Sequence, residues 1–571
     1  MPTTTGGPPQ TVQGSAGPGW RLGLGASLAL ALVYSLWVLH QGLQNPNIIQ
    51  DDARQHVFWM QRFLDPGLFP QDPIADYFQS VAPWGYAQLY RGAAALGISP
   101  SLMSKLLPTA LGLVMTGFCY GLVGELLPVA GAGPLAGVLA SWLLNQNLWL
   151  QDGIVSGTPK AFLYPTLLGF LYFFVRRSLW PCLLLLLLQA LFYPLTVFLS
   201  AGLLAVDGLA GWLSGGRADA GGSGQRDRLR FNGIAIALAI AVLLPYALRS
   251  SEFGPVITAA QARTLPEFFP GGRSAFFNDA HPWDFWLNDG RSGLRLASAL
   301  RPDGAYAALL LPLLLRIKSI RQSALGRSLR HLSLLPQLLL ASLGWFLLAH
   351  GLLFRLHLPS RYSQHSLKMV VVVAAALAWV LLLDAGQTWL AARLRTGAGR
   401  RLGRWVSVAL LLVWVLLVPW GDPKFPRSYN VQGNYPALYG FLQAQPRDIV
   451  IASLSEAANN LPSFAQRSIL VGSEYAIPYH WGYYQGFRER AIATLTAQYS
   501  PDLEILQGTI RQYGIDFWLL DAQSFNPEAL TSNAWLRAFG PPMQRPWVSS
   551  SPAARPRPGP MGRDLPGPPG R

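Results

Sequence analysis

The feature that most constrains this chain is a series of apolar runs close to the length of a bilayer crossing. They begin at about residues 22, 104, 130, 161, 180, 195, 231, 299, 332, 368 and 405. A helix needs roughly 20 apolar residues to cross the hydrocarbon. Because no water is available there to satisfy the backbone, such runs must fold as helices. Some are short, notably "AFLYPTLLGFLYFFV" and the stretches on either side of "LFYPLT". Pro194 cannot continue a helical ladder, so the 180–213 stretch divides there into two short spans or half-helices, which brings the count to eleven. With 51% hydrophobic and only 13% charged residues among 571, the composition excludes an ordinary soluble protein. The sequence therefore predicts a polytopic α-helical membrane protein.

The formal charge of +16 would suggest nucleic acid if it lay on a soluble domain. Instead, most Lys and Arg fall in short loops between the apolar runs, which makes the charge a topology signal and argues against a nucleic-acid partner. Cytoplasmic loops carry the basic excess, which puts 176–177, 217–230, 316–330 and 393–404 inside. Eleven spans and a cytoplasmic N-terminus satisfy all four. Segments 42–101, 148–160, 250–298, 351–367 and everything after about 421 are then outside. Cys119 and Cys182 both lie within apolar runs, which argues against a disulfide framework or a Cys-rich metal site.

Residues 1–19 are a Gly, Pro, Thr and Gln tail, followed by a retained signal anchor over about 22–39. The expected membrane domain runs over 20–420. Residues 549–571, rich in Pro, Gly and Arg, have almost nothing to bury and are expected to be disordered. Between the membrane domain and this tail, 421–548 reads as a small extracytoplasmic α/β domain. "RDIVIAS", "RSILVG" and "IDFWLL" are its strand candidates, and "SPDLEILQGTIRQYG" has helical periodicity. No internal repeat is visible.

The chemistry-bearing stretch is "NIIQDDARQHVFWM", at the start of the first large outer loop, 42–101. On a helix "ARQHVFWMQRFL", Asp52 and His56 are i,i+4 neighbours and Asp51 and Arg54 are i,i+3 neighbours, while adjacent residues diverge by about 100°. One aspartate can then cap or pair while the other faces a cavity. The alternative reading has one aspartate capping the helix N-terminus without chemistry.

A first span, an outward loop opening on an acidic pair, amphipathic helices in that loop, several short spans and a C-terminal extracytoplasmic α/β domain together resemble the GT-C superfamily of polyprenyl-phosphate-dependent glycosyltransferases. "DDAR" is similar to the D-E-x-R opening of the first outer loop in aminoarabinose and related sugar transferases, and to the acidic pair of protein mannosyltransferases. The resemblance covers the chain apart from its tails. It implies a plasma-membrane enzyme, the inner membrane of a bacterium, moving a sugar from a polyprenyl-phosphate donor to a lipid or glycan acceptor on the outer face, with inversion as the expected stereochemical outcome. In that reading Asp51 or Asp52 is the general base, with Arg54 and His56 beside the substrate. A transporter or flippase for lipid-linked sugars and a non-catalytic scaffold of the same fold are the rival readings. The W-W-D-Y-G stretch of oligosaccharyltransferase catalytic subunits is missing, so transfer to Asn is not supported.

Further candidates lie in other outer loops. "FRLHLPSRYSQHSLK" gathers Arg355, His357, Arg361, His365 and Lys368 where the positive-inside rule predicts few cations. It suits a lipid-phosphate head group, with Arg361 next to Tyr362 preferred, or else ordinary phospholipid. Asp152 and Lys160 flank a Gly-rich bend that turn chemistry alone explains, or they line the cavity from a second side. Asp279, His281, Asp284 and Asp289 leave a divalent metal open without a strong ligand motif. Their aromatic neighbours suit an interfacial belt or sugar stacking. "EYAIPYHWGYYQGFRER" fits either carbohydrate contact or a packing seam. Glu125, Asp207 and Asp384 are expected to pair or snorkel at the cytoplasmic side.

Overall fold

A computed structural model describes residues 17–213, 223–248, 251–393 and 396–539. The fold is mostly helical. Among the described residues, seven helices are long and apolar enough to cross a membrane: Pro18–Leu43, Pro100–Leu126, Leu195–Leu213, Gln225–Leu248, Leu334–Gly351, Ser360–Ala391 and Gly397–Gly421. Shorter apolar helices cover Pro159–Val175, Leu179–Phe192 and Asp303–Leu314. These features make the chain an integral membrane protein. The expected tails, 1–19 and 549–571, lie outside the described residues except for 17–19, where Pro18 and Gly19 already belong to the first helix.

The first elements in chain order are α1 (Pro18–Leu43), β1 (Ile48–Gln50), α2 (Ala53–His56), α3 (Pro73–Ser80), α4 (Trp84–Ala95), α5 (Pro100–Leu126), α6 (Ala132–Leu150), α7 (Leu163–Val175), α8 (Leu179–Phe192), α9 (Leu195–Leu213) and α10 (Ser223–Leu248). Helices α8 and α9 break at Tyr193–Pro194, as the proline requires. The Ser360–Ala391 helix is the hub. Its run of Val and Ala presents small side chains on every face, so neighbouring helices approach closely, and most of it is buried. The Gly397–Gly421 helix is mostly exposed and leaves an apolar surface for lipid.

Three expectations need correction. The run from 299 is not one regular helix: it divides into Leu296–Ala299, a 3-10 stretch Asp303–Leu310 that Pro302 precedes, and Leu311–Leu314 with Pro312 in its first turn. The stretch 53–64 is not one helix either. Val57, Phe58, Trp59 and Met60 are all buried, a demand that a two-sided α-helix does not meet, and the chain tightens into a 3-10 turn over Phe58–Phe63. Finally, the helix expected near 368 starts at Ser360. Its first turns are polar in sequence, but Ser363 and Ser366 return their hydroxyls to the helix's own carbonyls and Ser360 bonds to Gly290 O (2.9 Å).

Segments expected outside converge at one end of the bundle. Strand β1 pairs antiparallel with β2 (Asn430–Gln432), Ile49 opposite Val431. Arg427 N–H donates to Trp149 O (2.8 Å), Asn147 Nδ2 to Ser298 O (3.0 Å) and Ser360 N–H to Arg291 O (3.2 Å). Elsewhere, Arg176 pairs with Glu125 (2.6 Å), and buried Asp207 holds Arg177 (3.0 Å) and Arg228 (2.6 Å). Near the C-terminus three short strands, β3 (Val450–Ala452), β4 (Ser468–Ile469) and β5 (Phe517–Trp518), form a parallel sheet in the order β4-β3-β5. They fall within the three runs read as strands. The helix read from "SPDLEILQGTIRQYG" spans Leu503–Tyr513 and stops at Gly514, whose left-handed φ of 62° suits a glycine cap.

Candidate functional site

The acidic pair is fixed by its place immediately after β1. Asp51 N–H donates to Tyr429 O (3.0 Å), closing the ladder with β2. Capping is performed by a different residue: Gln50 Oε1 accepts from Ala53 N–H (3.2 Å), and Asp52 makes no side-chain cap bond. The carboxylates are therefore free to diverge. Asp51 pairs with Arg54, the i,i+3 contact that the sequence allows. Arg54 continues to Glu474 (3.0 Å), which also binds Arg273 (2.9 Å) and Gln55. Glu474 is only 9% exposed, so this network ties the first loop, the 273 loop and the C-terminal segment together. It engages the charge of both Asp51 and Arg54.

Asp52 faces the other way. Lys160 Nζ lies 2.7 Å from Asp52 Oδ2 and 2.7 Å from Asp152 Oδ2, bridging carboxylates from two segments. Gln50 Nε2 completes the group at 3.4 Å from Asp152 Oδ1. Lys160 stands on a 3-10 turn, Pro159–Phe162, whose other side chains are buried. The bend before it packs too tightly for a side chain at Gly157, where a Cβ would lie 2.7 Å from the Tyr90 hydroxyl and 2.9 Å from Ser104 Cα.

Burial pushes the Asp52 carboxyl up, but the Lys160 ammonium, aided by His56, outweighs it and holds Asp52 well below the usual carboxylate range. Burial and the neighbouring Asp52 charge push Asp152 up to about 6 against the same ammonium. The two carboxylates thus differ in basicity although they share one cation. Burial pushes His56 down, against the opposing charge of Asp52.

Opposite lie unpaired cations. His365 and the Tyr164 hydroxyl are hydrogen-bonded (2.7 Å), joining the start of the Ser360–Ala391 helix to α7, just beyond Lys160. Arg361 is within electrostatic reach of Lys160 and Tyr193. Among the described residues, neither Arg361 nor the buried Lys368 has a side-chain ion pair or hydrogen bond. The loop bonded to Ser360 adds Arg295, whose Nη1 donates to Asn288 O (2.8 Å) and whose Nε is buried without a partner. Sequence reasoning missed Arg295. Its signal was the one that exposed 355–368, basic residues in an expected outer loop, here Arg291 and Arg295.

Other candidates have structural partners. Tyr362 is buried between Phe198 and Trp345 and donates to Leu356 O (3.0 Å), while Arg355 and His357 are exposed. Tyr483 stacks on Tyr77 (3.8 Å between centroids), and Tyr475 and Tyr484 are buried, so these rings of "EYAIPYHWGYYQGFRER" form a packing seam. Phe276 and Phe277 are buried, whereas Trp283 is exposed. Asp279 pairs with Arg263 (3.3 Å) and Asp284 accepts from Asn288 (2.9 Å). Among the described residues, no three His, Cys, Asp or Glu side chains are grouped to hold a metal ion. A separate cavity of about 1260 Å³ lies between α3, α4 and the ends of α8 and α10, with Trp84, Gln88, Arg91, Leu191 and Pro245 in its wall.

No family model and no curated protein matches the chain. Solved structures do. An oligosaccharyltransferase from Archaeoglobus fulgidus, tethered to an acceptor peptide containing the NVT sequon, matches with a TM-score of 0.51 at 12% identity, over 92% of this chain and 72% of the other. Archaeal oligosaccharyltransferase AglB from the same organism, in complex with an inhibitory peptide and a dolichol-phosphate, matches with a TM-score of 0.51 at 13% identity, over 86% and 68%. At such identity the likeness is one of architecture, and it agrees with the family resemblance carried by the acidic pair and the short spans. The chain has the overall fold of these oligosaccharyltransferase structures.

Proposed function

We propose that this protein transfers a sugar from a polyprenyl-phosphate carrier to an acceptor hydroxyl of a lipid or glycan at the outer membrane face. In this reading the chain crosses the membrane eleven times from a cytoplasmic N-terminus. The converging end of the bundle is extracytoplasmic, and the parallel sheet belongs to an α/β domain over 421–548.

The observation that carries the proposal is the opposition of charges at that end. A pair of carboxylates, Asp52 and Asp152, shares Lys160, and beside them stand Arg361 and Lys368, which among the described residues have no side-chain ion pair or hydrogen bond, Lys368 feeling the Asp152 charge from further off. Such a group suits a lipid phosphate, for which Arg361 supplies a planar fork and Lys368 a point charge. As the bond from the sugar C1 to the phosphate oxygen breaks, negative charge grows on the leaving phosphate and positive charge on the sugar ring. The cations stabilise the former and ionised Asp52 the latter. The acceptor oxygen bonds to C1 and its proton passes to a carboxylate, for which Asp152, nearer to neutral basicity, is suited. One displacement without a covalent enzyme intermediate inverts C1.

Asp51 and Arg54 stand outside this set because they hold the first loop to the C-terminal segment, and Tyr362 and His365 brace the Ser360–Ala391 helix. The test compares sugar transfer by Asp52→Asn and Asp51→Asn in purified, reconstituted protein. Asp52→Asn is expected to lose at least ~100-fold in transfer with donor binding retained, while Asp51→Asn retains most of its activity. Equal activity of Asp52→Asn and the unaltered protein would overturn the assignment.

A further inference from the structure

Two carboxylates that converge on one point invite a divalent cation, yet that point is taken. Lys160 Nζ is 2.7 Å from an oxygen of each aspartate, and its stem leaves a turn whose neighbours Pro159, Ala161 and Phe162 are buried. We infer that the Lys160 ammonium stands in the place of a divalent cation between Asp52 and Asp152, and that transfer at this site proceeds without a bound metal. The inference rests on the site proposed above.

Three observations support it. First, a magnesium ion requires near-octahedral oxygen ligands at 2.0–2.1 Å. The oxygens that would supply them are already bonded to a tethered ammonium, which a dication must displace. Second, no third ligand comes to help. Asp51 and Glu474 are held by Arg54 and Arg273, and among the described residues no three His, Cys, Asp or Glu side chains form a group. Third, Arg361, Arg295 and Lys368 already make the surroundings cationic, so a dication entering without its own anion meets repulsion on one side and only two carboxylates on the other.

The ammonium also performs the task that a metal would perform. Two carboxylates sharing one site cannot readily both be ionised, and Lys160 lets them be so while drawing them together. It differs in charge. The trio Asp52, Lys160 and Asp152 keeps one net negative charge, whereas a dication would cancel the pair. That remaining negative charge faces the sugar ring as it becomes cationic.

The test is manganese binding by the full-length protein in nanodiscs after chelator treatment, followed by the electron paramagnetic resonance of free Mn²⁺. The unaltered protein is expected to show no saturable site up to about 1 mM Mn²⁺, and EDTA is expected to leave its sugar transfer unchanged. Lys160→Ala is expected to gain one saturable Mn²⁺ site, which the further change Asp52→Asn removes. A saturable site in the unaltered protein that Asp52→Asn abolishes would overturn the inference, as would EDTA inhibition reversed by Mn²⁺ or a Lys160→Ala protein that gains no site. If Lys160→Ala does not fold, Lys160→Met takes its place, and the unaltered protein's titration remains decisive. Because Mn²⁺ binding is read without turnover, failure of the glycosyl-transfer reading would leave this result interpretable.

Discussion

Replacing Asp152 by Asn tests the division of labour between the two carboxylates through the pH dependence of transfer. Asp152 carries its proton up to about pH 6 because burial and the Asp52 charge oppose ionisation, with only Lys160 counteracting them. The groups that face it are Asp52, Lys160 and Gln50, with Tyr164 and Lys368 within electrostatic reach. Only the ionised form accepts the acceptor's proton, so transfer is high above the shifted value and is lost as pH falls through it. At pH 7 about nine-tenths of the carboxyl is ionised, and at pH 5 about one-tenth, so kcat/KM should fall roughly tenfold across that interval. Asp52 stays ionised throughout and adds nothing to this limb. The assay is initial-rate transfer in nanodiscs from pH 4.5 to 8 with saturating acceptor. The unaltered protein should show an acid limb centred near 6, and Asp152→Asn should show a lower, flat profile. The same group has a sign for stability. Its folded value lies above the ordinary carboxylate value, so its contribution favours the folded state at low pH and is lost as pH rises through about 6. Asp152→Asn should therefore melt higher relative to the unaltered protein at pH 8 than at pH 5. An acid limb that survives in Asp152→Asn, or a flat profile in the unaltered protein, would refute the assignment of proton acceptance to Asp152.

Arg361→Ala removes a guanidinium that has no side-chain ion pair or hydrogen bond among the described residues, and loss of its charge-assisted bonds to phosphate, about 1.5–3 kcal/mol, should weaken donor binding ~10–100-fold while leaving acceptor binding intact; titration calorimetry with a short-chain donor reads this directly. Glu474→Ala leaves Arg54 and Arg273 facing each other without their shared anion, and should destabilise the protein by about 3–5 kcal/mol, read as a lowered melting temperature, whereas Glu474→Gln should cost less because it keeps hydrogen-bond acceptance.

Local patterns reached the sequence reader well. Pro194 announced the break between α8 and α9, and the spacing of Asp51 and Arg54 announced their pairing. β-Branched and aromatic runs bounded by turn residues located the three short strands. What stayed hidden depends on contacts between distant segments. Nothing near Lys160 says that its ammonium meets Asp52, 108 residues away. Glu474 looked like the edge of an aromatic run, and only the fold sets it between Arg54 and Arg273. Hydropathy also misplaced the start of the Ser360–Ala391 helix, because serines that satisfy themselves within a helix read as loop. The tyrosines of 475–484 were ambiguous for a different reason: an aromatic ring packs a seam or stacks a sugar with the same chemistry, and only burial separates the two.

The central claim is that the cations at the end of the bundle hold the phosphate of a lipid-linked sugar. Native mass spectrometry of protein purified in mild detergent measures this directly, because the mass of the retained lipid identifies both chain and head group. A polyprenyl phosphate bearing a sugar, retained by the unaltered protein and by Asp52→Asn but lost from Arg361→Ala, is the expected result. Ordinary phospholipids alone, retained equally by all three, would contradict it.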